Sequence, residues 1–204
     1  HKKFHFVLFD FDGVIADSFS VALQVNQMLY PRLTADEYRA RFLGNINKWR
    51  EEHRPDIDFF TEYIPKMKTM GIFPGMREAI KELSRLYTLV IISSTLTAPI
   101  KEFVERQGLG VFFAEIMGND VHESKAQKID MVFSKYGTDK HSCVFITDTL
   151  GDIKEAAHCG VGSIGVSWGF QDEETLRLGN PFCIVQKPQE LPSAIARYFV
   201  DSRG

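Results

Sequence analysis

Long apolar runs are missing from this chain. No stretch of its 204 residues approaches the roughly 18 that a membrane-spanning helix needs. The start, His-Lys-Lys-Phe-His, has no apolar leader segment ahead of the first strand-like run, so a cytoplasmic protein is expected. Cysteine is scarce and odd in number: Cys143, Cys159 and Cys183 lie in or beside apolar stretches without metal-ligand spacing. That excludes a disulfide framework and reads as reduced core thiols. A block of like charge is also absent. The 24 basic and 27 acidic residues are mixed, giving a net charge of −3, which argues against a nucleic-acid partner. There is no internal repeat and no low-complexity tract.

What the chain does have is 44% apolar residues, enough for a substantial core, arranged as strand-like runs alternating with helical ones. Strands are expected at Phe4–Phe9, Thr88–Ile92, Phe113–Met117, Cys143–Ile146 and Ser163–Val166. Several are continuous β-branched or aromatic runs, as strands buried on both faces should be. Helices fit Gly75–Leu86, Pro99–Gln107, Ser124–Tyr136 and Leu150–Cys159, the last ended by Gly160. The expectation is an α/β fold, a Rossmann-like doubly wound parallel sheet.

One interval breaks the rhythm. From about Ser20 to Ile72 there is no strand candidate, only helical, aromatic-rich sequence punctuated by Pro31, Gly44, Pro55 and Pro65. This reads as a small helical cap, residues 20–72, inserted after the first strand of a core formed by 1–19 and 73–204.

In an open parallel sheet ligands bind at the carboxyl ends of the strands, so the residues just past each strand carry the chemistry. The first strand delivers Asp10 and Asp12, with Asp17 soon after; the second delivers Ser93-Ser94-Thr95. Lys125 comes next in Glu123-Ser-Lys-Ala, and the fourth strand delivers Thr147-Asp148 with Asp152 close behind. Acids this dense repel one another unless a divalent cation sits among them. Gly13 lets the chain turn away tightly. Each acid also has a plainer reading as a turn or helix-cap residue, and Asp17 is expected to cap the next helix.

Together these motifs resemble the haloacid dehalogenase (HAD) superfamily of aspartate-nucleophile phosphotransferases. The similar branch has a small helical cap and includes phosphoglycolate phosphatase and β-phosphoglucomutase-like proteins. Gly165-Val-Ser-Trp-Gly-Phe170 also looks like a strand end of that family. The resemblance implies that Asp10 attacks phosphorus as the nucleophile, that Asp12, on the same side of an extended chain, serves as acid and then base, and that an Mg²⁺ neutralising the phosphate charge is held by Asp10, the Asp12 backbone carbonyl and Asp148. It implies phosphoryl contacts from Ser93, Ser94 and Lys125, with Lys128 the competing lysine one helical turn on, and Asp152 orienting Lys125 or a metal-bound water. The cap loop around Gly44, by the same resemblance, puts Asn45, Asn47 and Lys48 toward the substrate tail, with Tyr63 and Lys66 as further cap candidates. The competing reading makes Arg39, Arg41, Lys48 and Arg50 an ordinary solvated helix face.

Three other patterns are decoys. Gly160-Val-Gly162-Ser-Ile-Gly165 fits a dinucleotide fingerprint but comes after a helix and leads into a strand, the reverse of the required order. Gly165-Val-Ser167-Trp-Gly169 fits a nucleophile elbow, yet no histidine lies beyond it. Asp10-Phe-Asp12-Gly begins like a calcium loop, but Val14 and Ile15 stand where a ligand and the turn glycine are needed.

The function expected is a cytoplasmic, Mg²⁺-dependent phosphatase acting on a small phosphorylated metabolite through an aspartyl phosphate, as monomer or homodimer. A phosphomutase using the same residues and a non-turning-over phospho-acceptor module remain alternatives. Dehalogenase chemistry is disfavoured, because that branch does not use the second aspartate that Asp12 supplies.

Overall fold

Phe6–Phe9 (β1) contains no polar side chain, and all four residues are buried. Successive side chains point to opposite faces of a strand: Val7 and Phe9 join one apolar cluster, Phe6 and Leu8 the other. A strand buried on both faces belongs inside a sheet, and β1 is central. In this computed structural model, which describes residues 3–53 and 58–201, it pairs in parallel with Thr88–Ile92 (β2) on one side and Cys143–Thr147 (β4) on the other. Phe113–Met117 (β3) extends the sheet beyond β2, while Gly162–Val166 (β5) and Cys183–Val185 (β6) extend it beyond β4. The order is β3-β2-β1-β4-β5-β6, every pairing parallel.

All five expected strands are present, with ends shifted by at most two residues. The edge strand β6 and two late helices were not expected.

Among the described residues, four α-helices fill the interval that lacked strands: Phe19–Leu29 (α1), Ala35–Ala40 (α2), Ile46–His53 (α3) and Phe59–Lys66 (α4). Pro55 lies outside the described residues. Two crossings of the chain, side by side, join this helical segment to the sheet. Asp17 N donates to Gly71 O at 2.9 Å, and Ala16 bridges Ile72 in antiparallel fashion. That crossing occupies the Asp17 backbone, and its exposed side chain does not cap α1; Ser18 holds the cap position, without a side-chain cap bond.

The other helices are Met76–Ser84 (α5), Thr97–Arg106 (α6), Lys125–Tyr136 (α7), Leu150–His158 (α8), Glu173–Arg177 (α9) and Leu191–Asp201 (α10). Ile80, Phe103 and Ile195 of α5, α6 and α10 bury against the face that carries Val7 and Phe9. Ile129, Val132 and Ala156 of α7 and α8 bury against the opposite face. Helices therefore cover both sides, as in a doubly wound sheet. Each fully buried aliphatic or aromatic side chain contributes about 1.5–3 kcal/mol over an exposed one. The strand ends consequently rest on a rigid base. Neighbours β2 and β4 leave β1 in opposite directions, and the crevice at such a switch point is where the polar residues gather. Among the described residues no helix is long and apolar enough to cross a membrane.

Candidate active site

Phe9 stands opposite Ile91 on β2 and Ile146 on β4, so the residues just past all three strands emerge at one edge. Asp10 is fixed there by its own backbone, whose N–H reaches Ile146 O at 2.9 Å. Lys125, the first residue of α7, points back over the same edge. Its Nζ lies 3.1 Å from Asp10 Oδ1 and 2.8 Å from Asp152 Oδ2. Asp152, in the first turn of α8, also accepts from Thr147 Oγ1 at 2.8 Å. Asp10, Lys125 and Asp152 are all buried.

Their electrostatics stem from that burial. Desolvation pushes the Asp10 carboxyl well above its usual range; Lys125 opposes the rise, and Asp152 and Asp148 reinforce it. Burial works against the Lys125 ammonium too, but Asp10 and Asp152 outweigh it and hold its pKa above the ordinary lysine value. The competing lysine goes elsewhere. Lys128 Nζ donates to Ser93 O at 2.6 Å and to Gly118 O at 3.3 Å, tying together the ends of β2 and β3. Burial and the neighbouring Lys125 bring its pKa down to about 7.

Asp148 is fully buried against a cradle of glycines. At Gly13, with φ of +76°, a Cβ would meet Asp148 Oδ2 at 1.9 Å, and at Gly169 it would lie 2.4 Å from Asp148 Cβ. Only residues without a side chain fit both places. Phe170 N donates to Asp148 Oδ2 at 2.8 Å, while buried Asp148 Oδ1 has no hydrogen-bond partner. Burial raises the Asp148 pKa to about 7, the backbone bond from Phe170 opposing. An orphaned carboxylate oxygen beside the Asp10 carboxyl, in a spot kept open by glycines, fits a hard cation that prefers oxygen ligands. Among the described residues no three His, Cys, Asp or Glu side chains gather as a metal cage. The fit therefore rests on two carboxylates, completed by a backbone carbonyl and water.

Asp12 is part-buried and turned toward the helical segment, where Tyr63 OH donates to Oδ1 at 2.5 Å and Thr95 Oγ1 donates to Oδ2 at 2.7 Å. Neither partner was expected at this carboxylate. Ser93 is fully buried and its hydroxyl accepts Thr95 N at 3.0 Å, whereas Ser94 faces the cavity. That cavity, about 40 Å³, is lined by Asp10, Ser94, Lys125, Asp148, Asp152 and Phe170 among others.

The turn between α2 and α3 closes over it. Gly151 N of α8 donates to Phe42 O at 2.9 Å. Asn45 Nδ2 donates to Glu155 Oε1 at 3.0 Å, and Glu155 Oε1 also accepts Lys125 N at 3.1 Å. Asn47 Nδ2 reaches Asn119 Oδ1 at 2.8 Å and Glu123 O at 3.0 Å. Asn45 and Asn47 thus stitch the helical segment to the sheet side of the cavity. Lys48 and Lys66 are exposed. Of the arginines expected to form a solvated face, Arg39 pairs with Asp36 at 3.0 Å, but Arg41 stacks 3.7 Å from the Trp49 ring centre and Arg50 packs over Phe59 and Phe60. Two members of the supposed surface face are tucked among aromatic rings.

The fold and sequence have known counterparts. Residues 7–166 match the haloacid dehalogenase-like hydrolase family. A phosphoglycolate phosphatase of Synechococcus elongatus is 22% identical, covering 94% of this chain and 97% of its own. Another, from Photorhabdus laumondii, is 24% identical over 95% of this chain and 93% of its own. Among solved structures, a predicted phosphatase from Clostridium acetobutylicum superposes with a TM-score of 0.79 at 22% identity, covering 96% of this chain and all of that one. A predicted phosphoglycolate phosphatase from Haemophilus somnus does so at 0.76 and 17%, covering 95% and 99%. With the matched segment running from β1 to the end of β5 and taking in the ends of β1, β2 and β4 around which the acids gather, the chain belongs to the haloacid dehalogenase-like hydrolase family.

Proposed function

We propose that the protein is a Mg²⁺-dependent phosphatase that cleaves a small phosphorylated metabolite through a phosphoryl group carried on Asp10. The observation that carries this is the Lys125 ammonium, held at once by Asp10 at 3.1 Å and Asp152 at 2.8 Å, beside the unpartnered Oδ1 of Asp148. A buried carboxylate at a strand end, with a fixed cation against one oxygen, suits attack on phosphorus better than it suits a turn or a cap.

Asp10 and Asp148, with the Asp12 backbone carbonyl, would hold the Mg²⁺, which when bound neutralises phosphate charge and draws the dianion among the acids. A carboxylate oxygen of Asp10 forms the bond to phosphorus as the ester P–O bond breaks. Asp12 gives its proton to the leaving oxygen. Asp12 then takes a proton from the water that attacks the aspartyl phosphate, which releases inorganic phosphate and restores the Asp10 carboxylate. Lys125 and the hydroxyl of Ser94 bind the oxygens of the transferred group, where charge builds, while Ser93, expected as a second such contact, is fully buried with its hydroxyl bonded to Thr95 N and supports the loop instead. Asp152 keeps Lys125 aimed. The helical segment serves as a cap that excludes water.

Two observations support this reading: the named relatives are phosphoglycolate phosphatases, and Thr95 and Tyr63 hold both oxygens of Asp12 beside Asp10. The test is phosphate release from a panel of phosphate esters, including phosphoglycolate, with and without Mg²⁺. Asp10→Asn should fold and be inactive, and the wild type should show added phosphate mass on the Asp10 peptide when quenched in turnover. Undiminished release by Asp10→Asn, or by wild type in excess chelator, would overturn the mechanism.

A further inference from the structure

The helical segment carries a second, half-open cavity that the phosphoryl chemistry does not use. It lies among α1, α2, α3 and α4, has a volume of about 200 Å³, and is walled by Tyr38, Arg41, Trp49, Arg50, Phe59 and Phe60 among others. A smaller space of about 40 Å³ joins it to the acids. That space shares Tyr38, Ile46, Arg50 and Phe59 with the large cavity, and shares Asp12, Ser94 and Phe170 with the cavity around Asp10. Asp12 therefore stands where the phosphate end stops and the cap space begins. A leaving group protonated by Asp12 points into the cap.

The walls say what that group carries. Arg50 has five N–H donors. Among the described residues its one hydrogen bond is long, 3.4 Å to Asn47 Oδ1, and no carboxylate comes within ion-pair distance. Its guanidinium rests over the Phe59 and Phe60 rings, 5.0 and 5.2 Å from their centres. Arg41 spends one donor on Asn26 Oδ1 at 3.0 Å and otherwise lies against Trp49. Two sheltered guanidinium groups with spare donors fit a planar anion. Asp58 also lines the cavity, its oxygens engaged by Phe60 N and Thr61 Oγ1, so its negative charge disfavours a second dianionic phosphate. A single carboxylate suits the balance.

Size gives the remainder. An apolar cavity of about 150 Å³ holds a benzene molecule, so a space of about 200 Å³ walled by aromatic rings is poorly filled by a two-carbon group such as glycolate. We infer that the cap cavity binds the leaving group of the substrate, and that this group is a flat ring or apolar body of similar size ending in a carboxylate that Arg50 receives. The inference rests on the phosphatase reading and narrows its substrate class.

Three esters test it: phenyl phosphate, 4-carboxyphenyl phosphate and phosphoglycolate. The wild type should favour the carboxyphenyl ester in kcat/KM by about tenfold or more over each of the others. Arg50→Gln should erase that preference over phenyl phosphate, with Arg50→Lys falling between, and melting temperatures confirming that the variants fold. Calorimetry with 4-hydroxybenzoate, the free leaving group, gives a readout independent of turnover: it should bind wild type and lose about tenfold or more in affinity to Arg50→Gln. Equal rates on the phenyl and carboxyphenyl esters, a preference that survives in Arg50→Gln, or phosphoglycolate as the best of the three would overturn the inference and leave the phosphatase standing. Binding of 4-hydroxybenzoate with no ester hydrolysed would instead sink the phosphatase and keep the pocket.

Discussion

The hydroxyl of Tyr63, buried on α4 of the helical segment, donates to Asp12 Oδ1 at 2.5 Å, on a carboxylate supplied by the sheet 51 positions earlier. Burial, with Asp12 adding to it, keeps the Tyr63 phenol well above its ordinary pKa, so it remains a donor across neutral pH. The bond links the cap directly to the proposed acid and base.

Tyr63→Phe keeps the ring and removes only that donor. A hydrogen bond to a charged group contributes about 1.5–3 kcal/mol, so kcat on an alkyl phosphate should fall about ten- to a hundredfold. An aryl ester with a good leaving group needs less help from the acid and should lose less in the phosphoryl-transfer step. Burst kinetics on the two ester types check this. Equal losses on both would assign Tyr63 to packing alone.

Lys125→Met is the second substitution of consequence. It strips the shared cation from two buried carboxylates, and breaking such a pair costs about 3–5 kcal/mol. Chemical denaturation at neutral pH should show that loss. Because burial raises the pKa of Asp10, the deficit should shrink as the pH falls and Asp10 takes up a proton. Adding Asp152→Asn should restore part of the stability and none of the activity, because one uncompensated charge is gone while the phosphoryl group still lacks its cation. Recovery of turnover in the double variant would count against Lys125 as a phosphoryl contact.

Much of this architecture was legible in the chain because its signals are local. β1, β2 and β4 are unbroken apolar runs, and a polar residue directly after such a strand must emerge at the sheet edge, which is how Asp10 and Asp148 announced themselves. β6 escaped because it is only three residues long at a sheet edge, in a short apolar stretch hemmed in by Asn180-Pro181 before it and Gln186-Lys187-Pro188 after it. Between Lys125 and Lys128 spacing was silent: both are buried on α7, and only the fold sends one to Asp10 and the other to Ser93 O. The cap was least readable. Tyr63 meets Asp12 and Arg50 meets Phe59 through tertiary packing, while Asn45, chosen for its polarity, reaches Glu155 across 110 positions. The sole available hint was that arginines alternating with Phe, Tyr and Trp, as between Tyr38 and Phe60, suit a sheltered cation as well as a solvated face.

Metal and proton should compete at Asp148. Its carboxyl, ordinarily titrating at 3.8, is raised to about 7 by burial. A raised carboxyl favours the folded state in its neutral form, so this contribution is complete below 3.8 and is lost as pH climbs through about 7. A bound cation reverses the preference by favouring the ionised form. The melting-temperature gain from added Mg²⁺ should therefore be small at pH 5 and large at pH 8, and absent at both in Asp148→Asn. A gain independent of pH, or one that survives the substitution, would place the ion elsewhere.

Gly151→Ala asks whether the cap must seat for catalysis. A Cβ on Gly151, at the start of α8, would lie 2.3 Å from Gly44 O and 2.9 Å from Phe42 O, both backbone atoms of the closing turn. Side-chain rotation cannot relieve that clash, so the turn has to lift, breaking the bond from Gly151 N to Phe42 O. The helix itself loses nothing, since alanine in place of glycine gains up to about 1 kcal/mol in helical backbone. Melting temperature should hold or rise, kcat should fall about tenfold or more as water enters the site, and amide exchange should quicken across residues 42–47. Gly44→Ala is the matched control. A Cβ there meets nothing within 4 Å, so activity and exchange should stay close to wild type. Wild-type turnover in Gly151→Ala, with exchange at 42–47 visibly faster, would mean that the chemistry proceeds with the turn lifted and that Asn45 and Asn47 serve only to dock the cap.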